Sequence, residues 1–339
     1  MTQLNRRKED HLRIVTKEEG VDRNRQAFAA VQLIHRALPE LDLAEVDTSI
    51  EFLGKTISCP LIISSMTGGA GSEIERINRN LAEAAEAEGI GMAVGSQRVF
   101  FTNKESAGSF RLREFAPTIP LMGNLGAVQF NYGMDSGHCR EAAKLLGADG
   151  FYLHLNPLQE AVQPEGDTNF AGLAEKIGAV VRELNVPVLV KAVGAGISPA
   201  DVQLLIGAGV KYVDVAGAGG TSWSLIEAHR SGDPSLGELF ADWGIPTPQA
   251  LQLLNPYRRQ VQLIASGGVR SGVDMAKSLV LGASLCGVAG PLLEPAMDSV
   301  DAVRIAIQRF KREFKTAMFL LGCRKVSDLV GNDSLLLKP

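Results

Sequence analysis

Lys191 stands inside the apolar run Val188-Leu189-Val190-Lys191-Ala192-Val193. An ammonium there needs an anionic partner or a wet pocket, because uncompensated burial is costly. A structural ion pair would meet that need, and so would a cofactor ring that becomes anionic on reduction. His154 and Asn156 are two apart, so on a strand both point to one face, and a tight turn at Pro157 would then present Gln159 and Glu160 at the rim. Glu160 suits a hard cation bridging to phosphate oxygens, since magnesium sites use one or two carboxylates; a solvated loop carboxylate is the plainer alternative. Backbone N–H groups of Gly267, Gly268, Ala289 and Gly290 could cradle a phosphate at a helix N-terminus, with Arg270 adding a fixed cation. Tight turns alone would also account for those glycines. Near the start, Arg7 and Lys8 precede His11 by the spacing that shares one helix face, although by itself such a charged start reads as a solvated surface.

Elements that could position these groups recur along the chain. Short apolar runs at Pro60–Met66, Ile90–Ser96, Leu121–Gly126, Phe151–Asn156, Pro187–Val193, Tyr212–Gly217, Val261–Ser266 and Leu285–Ala289 predict eight strands, several apolar throughout, as in strands buried on both faces. Helical patterns fall between them at Glu73–Glu88, His138–Leu146, Asn169–Leu184, Pro199–Gly207, Pro248–Asn255 and Gly272–Leu281, and Ala302–Leu321 reads as a further helix. This α/β alternation matches a (β/α)₈ TIM barrel better than an open doubly wound sheet. The chain reads as a single domain over 1–339, with a lead-in at 1–59, the barrel at 60–293 and a helical extension at 294–339. Ser222–Thr247 is too long for an ordinary βα loop, and is expected to be a lid or binding loop, or else a packed insertion or subunit contact. Barrel enzymes place chemistry at strand C-termini. Those ends here carry Ser64-Ser65-Met66-Thr67-Gly68-Gly69, Ser96-Gln97-Arg98, Asn124, His154 with Asn156, Lys191, Gly217 to Thr221, and Ser266 to Arg270.

Composition narrows the function classes. Hydrophobic residues at 45% exclude wholesale disorder. A balance of 34 basic against 38 acidic residues, net −4, argues against a nucleic-acid-coating protein. Cys59, Cys139, Cys286 and Cys323 show no disulfide, zinc or CxxC spacing and read as buried small hydrophobes in a reducing compartment. No apolar run reaches the ~18 residues that would span a bilayer, and the polar Met1-Thr2-Gln3-Leu4-Asn5 start lacks a signal-peptide core, so a cytoplasmic protein is expected.

Taken in order, Arg7-Lys8-Glu9-Asp10-His11, Met66-Thr67-Gly68-Gly69, Gly95-Ser96-Gln97-Arg98, Gly123-Asn124, His154-Leu155-Asn156, Gln159-Glu160, Lys191, Gly217 to Trp223, Ser266 to Arg270 and Ala289-Gly290 resemble the type 2 isopentenyl-diphosphate Δ-isomerases, which are FMN-dependent barrel enzymes. Each motif alone is weak, but their joint order is specific. The resemblance implies interconversion of isopentenyl and dimethylallyl diphosphate by proton transfer across an allyl unit. Reduced FMN would serve as acid–base, with Mg²⁺ on the diphosphate and NADPH as reductant. It implies FMN contacts from Ser65, Met66, Thr67, Gly68, Ser96, Asn124, Lys191 and Thr221, with Gly267, Gly268, Val269, Arg270, Ala289 and Gly290 at the FMN phosphate. Substrate contacts would come from Arg7, Lys8, His11, Ser96, Arg98, His154, Asn156 and Gln159, and Mg²⁺ would sit on Glu160. Lys191, Gln159 and His154 are the catalytic candidates, and a homotetramer or octamer is implied. Ala216 departs from the serine of some relatives beside the FMN phosphate, which puts that one contact in doubt. The rival enzyme reading is a hydroxy-acid oxidase-like flavoprotein, but that class carries a histidine–arginine pair near strand seven and Val261–Gly272 contains no histidine. An inosinate-dehydrogenase-like reading needs a cysteine on a loop, whereas Cys286 falls in the eighth predicted strand. A flavin- or phosphate-binding barrel without chemistry is the non-enzyme alternative.

Overall fold

A computed structural model describes residues 3–18, 20–23 and 27–337, and of residues 3–9 the backbone only. Eight parallel strands close into a barrel in chain order. They are Leu61–Ile63, Gly91–Ala93, Leu121–Gly126, Gly150–Leu155, Val188–Ala192, Tyr212–Asp214, Gln262–Ala265 and Ala283–Val288. The ring shuts where Cys286, Gly287 and Val288 pair with Leu61, Ile62 and Ile63. All eight expected strands are present, most of them trimmed at the ends.

One inward layer of the barrel is apolar except for one hydroxyl: Ile62, Ala93, Met122, Tyr152, Leu189, Ile264 and Leu285 pack together, and Phe52 and Ile57 close the layer from below. Those last two belong to an antiparallel hairpin, Ile50–Phe52 with Lys55–Ile57, inside what the sequence presents only as a lead-in. Its turn, Leu53-Gly54, has φ of 51° and 75°, the twist that two-residue hairpin loops require. Because side chains alternate along a strand, the next inward positions are Ser64, Asn124, His154, Lys191, Asp214 and Ser266. A polar layer therefore sits directly above an apolar one.

Helices wrap the outside. Ser72–Glu88 buries Ile74, Ile77, Leu81 and Ala85 along one stripe and ends at Gly89, left-handed at φ 64°. Val300–Leu321 buries Val303, Ile307, Phe310, Phe314 and Leu321 on a similar stripe and is capped by Ser299; each buried phenylalanine contributes about 1.5–3 kcal/mol. Glu88 ties these two helices together, accepting from Arg304 at 3.2 Å and Gln308 at 2.7 Å. A close approach also fixes this packing: a Cβ on Gly272 would lie 2.1 Å from the Phe314 backbone nitrogen. Helix Gly290–Asp298 runs across the position where barrel and extension were expected to divide. The four cysteines are free and buried.

One local expectation needs correction. Pro157 does not make a tight turn; it is the first residue of helix Pro157–Val162, where its fixed φ and missing N–H suit the first turn. The 222–247 insertion contains helices Trp223–Arg230 and Ser235–Leu239. Ser222 caps the first of these through Leu225 N–H at 3.4 Å.

Candidate functional site

The strand C-termini surround a cavity enclosing about 1300 Å³ of open space, mouth included, and every barrel strand or the turn after it contributes to its wall. Of the expected site residues, Ser65, Met66, Ser96, Arg98, Asn124, His154, Asn156, Gln159, Glu160, Lys191, Thr221, Gly267, Gly268, Val269, Arg270, Ala289, Gly290 and His11 line it. Two do not. Thr67 turns its hydroxyl to the Asn78 side chain, behind the wall, and Gly68 packs where a Cβ would meet the Phe110 ring at 3.1 Å. Arg7 and Lys8 belong to helix Gln3–Lys17, but their side chains lie outside the described residues.

At one end of the cavity lie the glycine turns expected to cradle a phosphate. Gly267 and Gly268 hold φ of 90° and 80°, and a Cβ on Gly267 would fall 2.1 Å from Gly217 O, so only glycine allows this turn. Gly290 opens helix Gly290–Asp298, whose N-cap Ala289 supplies no side-chain cap, and nothing lies within 4 Å of where its Cβ would be. An uncapped helix start beside open space is the kind of place where a phosphate can be held. Arg270 stands beside the cradle and donates to Asp22 Oδ2 at 2.9 Å, with a second bond from Nη2 to Oδ1. Ala216, the position of the departure noted above, is a non-glycine residue at φ 33°; it lines the cavity and carries no hydroxyl.

The floor is polar and buried. Asn124 Oδ1 and His154 Nδ1 are 2.8 Å apart, which fixes the imidazole orientation. Lys191 Nζ donates to Ala192 O at 2.7 Å; burial lowers its pKa, and the charge of Asp214 counteracts this. The hydroxyls of Ser64 and Ser65 and the Asn156 Oδ1 are buried without a hydrogen-bond partner in the wall of the cavity. Buried polar atoms are normally satisfied, so these are places for a ligand's donors and acceptors. A phosphate cradle, a polar floor and a buried cation in one cavity suit the FMN that the resemblance implies.

The opposite wall is a carboxylate-centred network. Asn156 Nδ2 donates to Gln159 Oε1 at 3.1 Å and Glu160 Oε1 at 2.9 Å. Glu160 also accepts from Asp167 N–H at 2.7 Å and from Gln163. Asp167 in turn holds Arg98 Nη1 at 2.8 Å. Beyond it stands Glu227, fully buried, which accepts from Gln159 Nε2 at 2.8 Å and from Arg230, and lies 3.0 Å from His11 Nε2. Burial alone would raise the Glu227 pKa, but His11, Gln159 and Arg230 together hold it at about 2. Trp223 packs edge-on to His11 at 5.3 Å between ring centroids. Sequence reasoning missed Glu227 and Asp167. A carboxylate one helical turn beyond Trp223 was the only local hint of Glu227, and no spacing signals a pairing with His11 across 216 positions.

Comparison with known proteins agrees with this geometry. Residues 5–101 and 156–336 match the family model of FMN-dependent dehydrogenases. The isopentenyl-diphosphate delta-isomerase of Hydrogenovibrio crunogenus is 51% identical over 336 residues, covering 98% of each chain. That of Paracoccus zeaxanthinifaciens is 54% identical over 336 residues, covering 97% of this chain and 96% of its own. Among solved structures, a mandelate oxidase variant with (S)-mandelic acid superposes with TM-score 0.64 at 19% identity, covering 97% of this chain and 96% of that one. A flavocytochrome b2 variant with sulfite bound reaches TM-score 0.67 at 16% identity, covering 96% and 82%; at such identities the likeness speaks to the barrel alone. By family model and by near-full-length identity, the chain belongs to the FMN-dependent dehydrogenase family and, within it, to the isopentenyl-diphosphate delta-isomerases.

Proposed function

We propose that this protein interconverts isopentenyl and dimethylallyl diphosphate by moving a proton across the allyl unit, with FMN seated on the floor of the barrel mouth. The observation that carries this reading is one cavity joining the glycine turns at Gly267, Gly268 and Gly290, a buried lysine at Lys191 and, on the opposite wall, Arg98 beside His154, Asn156, Gln159 and Glu160. Bound and reduced, FMN would supply an acid–base nitrogen above the floor, with no net redox change.

Protonating an unactivated alkene requires an acid held close in a dry pocket. Among the described residues the lining carboxylates are Asp22 and Glu160, and both are engaged, Asp22 by Arg270 and Glu160 by Asn156 and the Asp167 N–H. The chain's own part is therefore to grip, orient and exclude water. Arg98, with Arg7 and Lys8 from the lead-in helix, takes the diphosphate charge, and His154, Asn156 and Gln159 orient it. Glu160 would hold Mg²⁺, which would offset diphosphate charge. A single carboxylate plus phosphate oxygens and waters is an ordinary magnesium arrangement, and Asn156, Gln163 and Asp167 N–H fix the carboxylate's direction. Lys191 would offset negative charge on a reduced ring, the kind of electrostatic support a buried cation supplies. Gln159, anchored by Glu227, is the side chain placed to assist proton traffic. NADPH is the proposed reductant.

No described helix is long and apolar enough to cross a membrane, which fits the proposed cytoplasmic location. Exposed Ile305 and Leu320 on the C-terminal helix favour a homo-oligomer. The test is conversion of isopentenyl diphosphate by purified protein with FMN, NADPH and Mg²⁺, each omitted in turn. Turnover lost on each omission is expected, and turnover without flavin would overturn the reading.

A further inference from the structure

Asp214 is a carboxylate that the site does not use directly. It is 1% exposed and pairs in register with Lys191 on the neighbouring strand, yet it stands below the cavity wall, which Lys191 lines and Asp214 does not. Its Oδ1 accepts from Ser266 Oγ at 2.6 Å and Ala216 N–H at 3.1 Å. These two contacts hold Oδ1, and the Tyr152 hydroxyl is the further hydrogen-bonding group beside the carboxylate. The surroundings offer little other charge. Tyr152 lies in the layer below, its phenol kept neutral by burial and then by the charge of Asp214 and a hydrogen bond to it; burial raises the Asp214 pKa too, and the Lys191 charge, foremost, with the Ser266, Ala216 and Tyr152 hydrogen bonds, works against that rise. The Cys286 thiol on strand eight is likewise pushed up by burial. His154, the register partner of Lys191 on its other side, is turned to Asn124. Lys191 meanwhile donates to one neutral carbonyl, which does little to offset the desolvation of an ammonium.

We propose that Asp214 is the positioning residue for Lys191: its buried charge, aimed by Ser266 and the Ala216 amide, keeps that lysine an ammonium beneath the flavin ring whether or not the ring is reduced. This rests on the reading that FMN occupies the floor. With Lys191 charged in both states, two-electron reduction to the anionic ring takes up one proton. Without the Asp214 charge, Lys191 loses its proton beneath the neutral oxidised ring and regains it when the ring becomes anionic, so reduction takes up two electrons and two protons.

The test is the two-electron midpoint potential of the FMN-loaded protein between pH 6 and 9, poised with a chemical reductant, in the wild type, Asp214→Asn, Lys191→Met, and Asp214→Asn combined with Lys191→Arg. Asn keeps the size of the side chain and can still accept from Ser266. In Asp214→Asn the reduced-to-oxidised ratio should fall an additional tenfold per pH unit, about 30 mV for a two-electron couple. The double variant should recover the wild-type slope, because a guanidinium does not deprotonate in this range. A slope in Asp214→Asn parallel to wild type overturns the proposal. If Asp214→Asn does not retain flavin, retention by the double variant supports the proposal and loss from both overturns it. An unchanged potential in Lys191→Met would instead show that the lysine is not at the ring, which fails the underlying site reading rather than the pairing.

Discussion

Replacing Glu227 with Gln should cost both stability and the seating of the lead-in helix. The carboxyl is fully buried, lies 3.0 Å from His11 Nε2, and accepts from Gln159 at 2.8 Å and from Arg230. A fall from the ordinary 4.5 to about 2, at about 1.4 kcal/mol per pKa unit, corresponds to about 3 kcal/mol. Breaking a buried pair by removing one partner costs a similar amount. Gln retains one oxygen, and its amide N–H groups would face either the Arg230 donor or the Gln159 donor and His11. A carboxyl depressed in the folded state stabilises above its unfolded pKa, so the contribution is complete above about pH 4.5 and disappears as pH falls towards 2. Equilibrium urea unfolding of the FMN-loaded protein at pH 7 should show about 3 kcal/mol less stability in the variant, with the gap narrowing below pH 4.5. Limited proteolysis should cut the variant's first helix sooner. A loss below about 0.5 kcal/mol, or a gap that persists unchanged to low pH, would refute the assignment of Glu227 as a buried ionic anchor.

Three further outcomes follow from the site. Gly267→Ala sets a methyl group against Gly217 O at a positive φ, a strain of at least about 2 kcal/mol, so FMN should bind some thirtyfold more weakly by fluorescence quenching. Arg98→Ala should raise the KM for isopentenyl diphosphate about ten- to hundredfold, the worth of a charged hydrogen bond, while the flavin absorption spectrum stays as in wild type. Lys191→Ala should lower turnover of the reduced holoenzyme by about a hundredfold or more, as loss of a preorganised electrostatic group does; near-normal turnover would contradict its role.

The barrel was legible because its strands are apolar on both faces and the helices between them carry regular stripes. Pro199–Gly207 matches the expected helix at both ends, its start marked by Ser198, Pro199 and Asp201. The hairpin at Ile50–Ile57 was not legible, because strands of three residues with Leu53-Gly54 between them lack the usual Asn-Gly or Asp-Gly signal. At the site, glycines and strand-end polar residues announced themselves through position alone. Glu227 and Asp167 did not, since their significance lies in partners brought together by barrel closure. Thr67 shows the converse limit. Its place in a motif after the first strand suggested the cavity, but Asn78 on the following helix offers its hydroxyl a nearer partner.

The hairpin has a bearing on traffic through the molecule. With Phe52 and Ile57 corking the lower end, anything bound on the floor must come and go by the upper doorway. On the proposed reading, hydride donor and prenyl substrate would have to queue for the same entrance. Since allylic rearrangement spends no electrons, one visit by the donor would serve many rounds by the substrate, and a crowded entrance would slow activation far more than it slows steady operation.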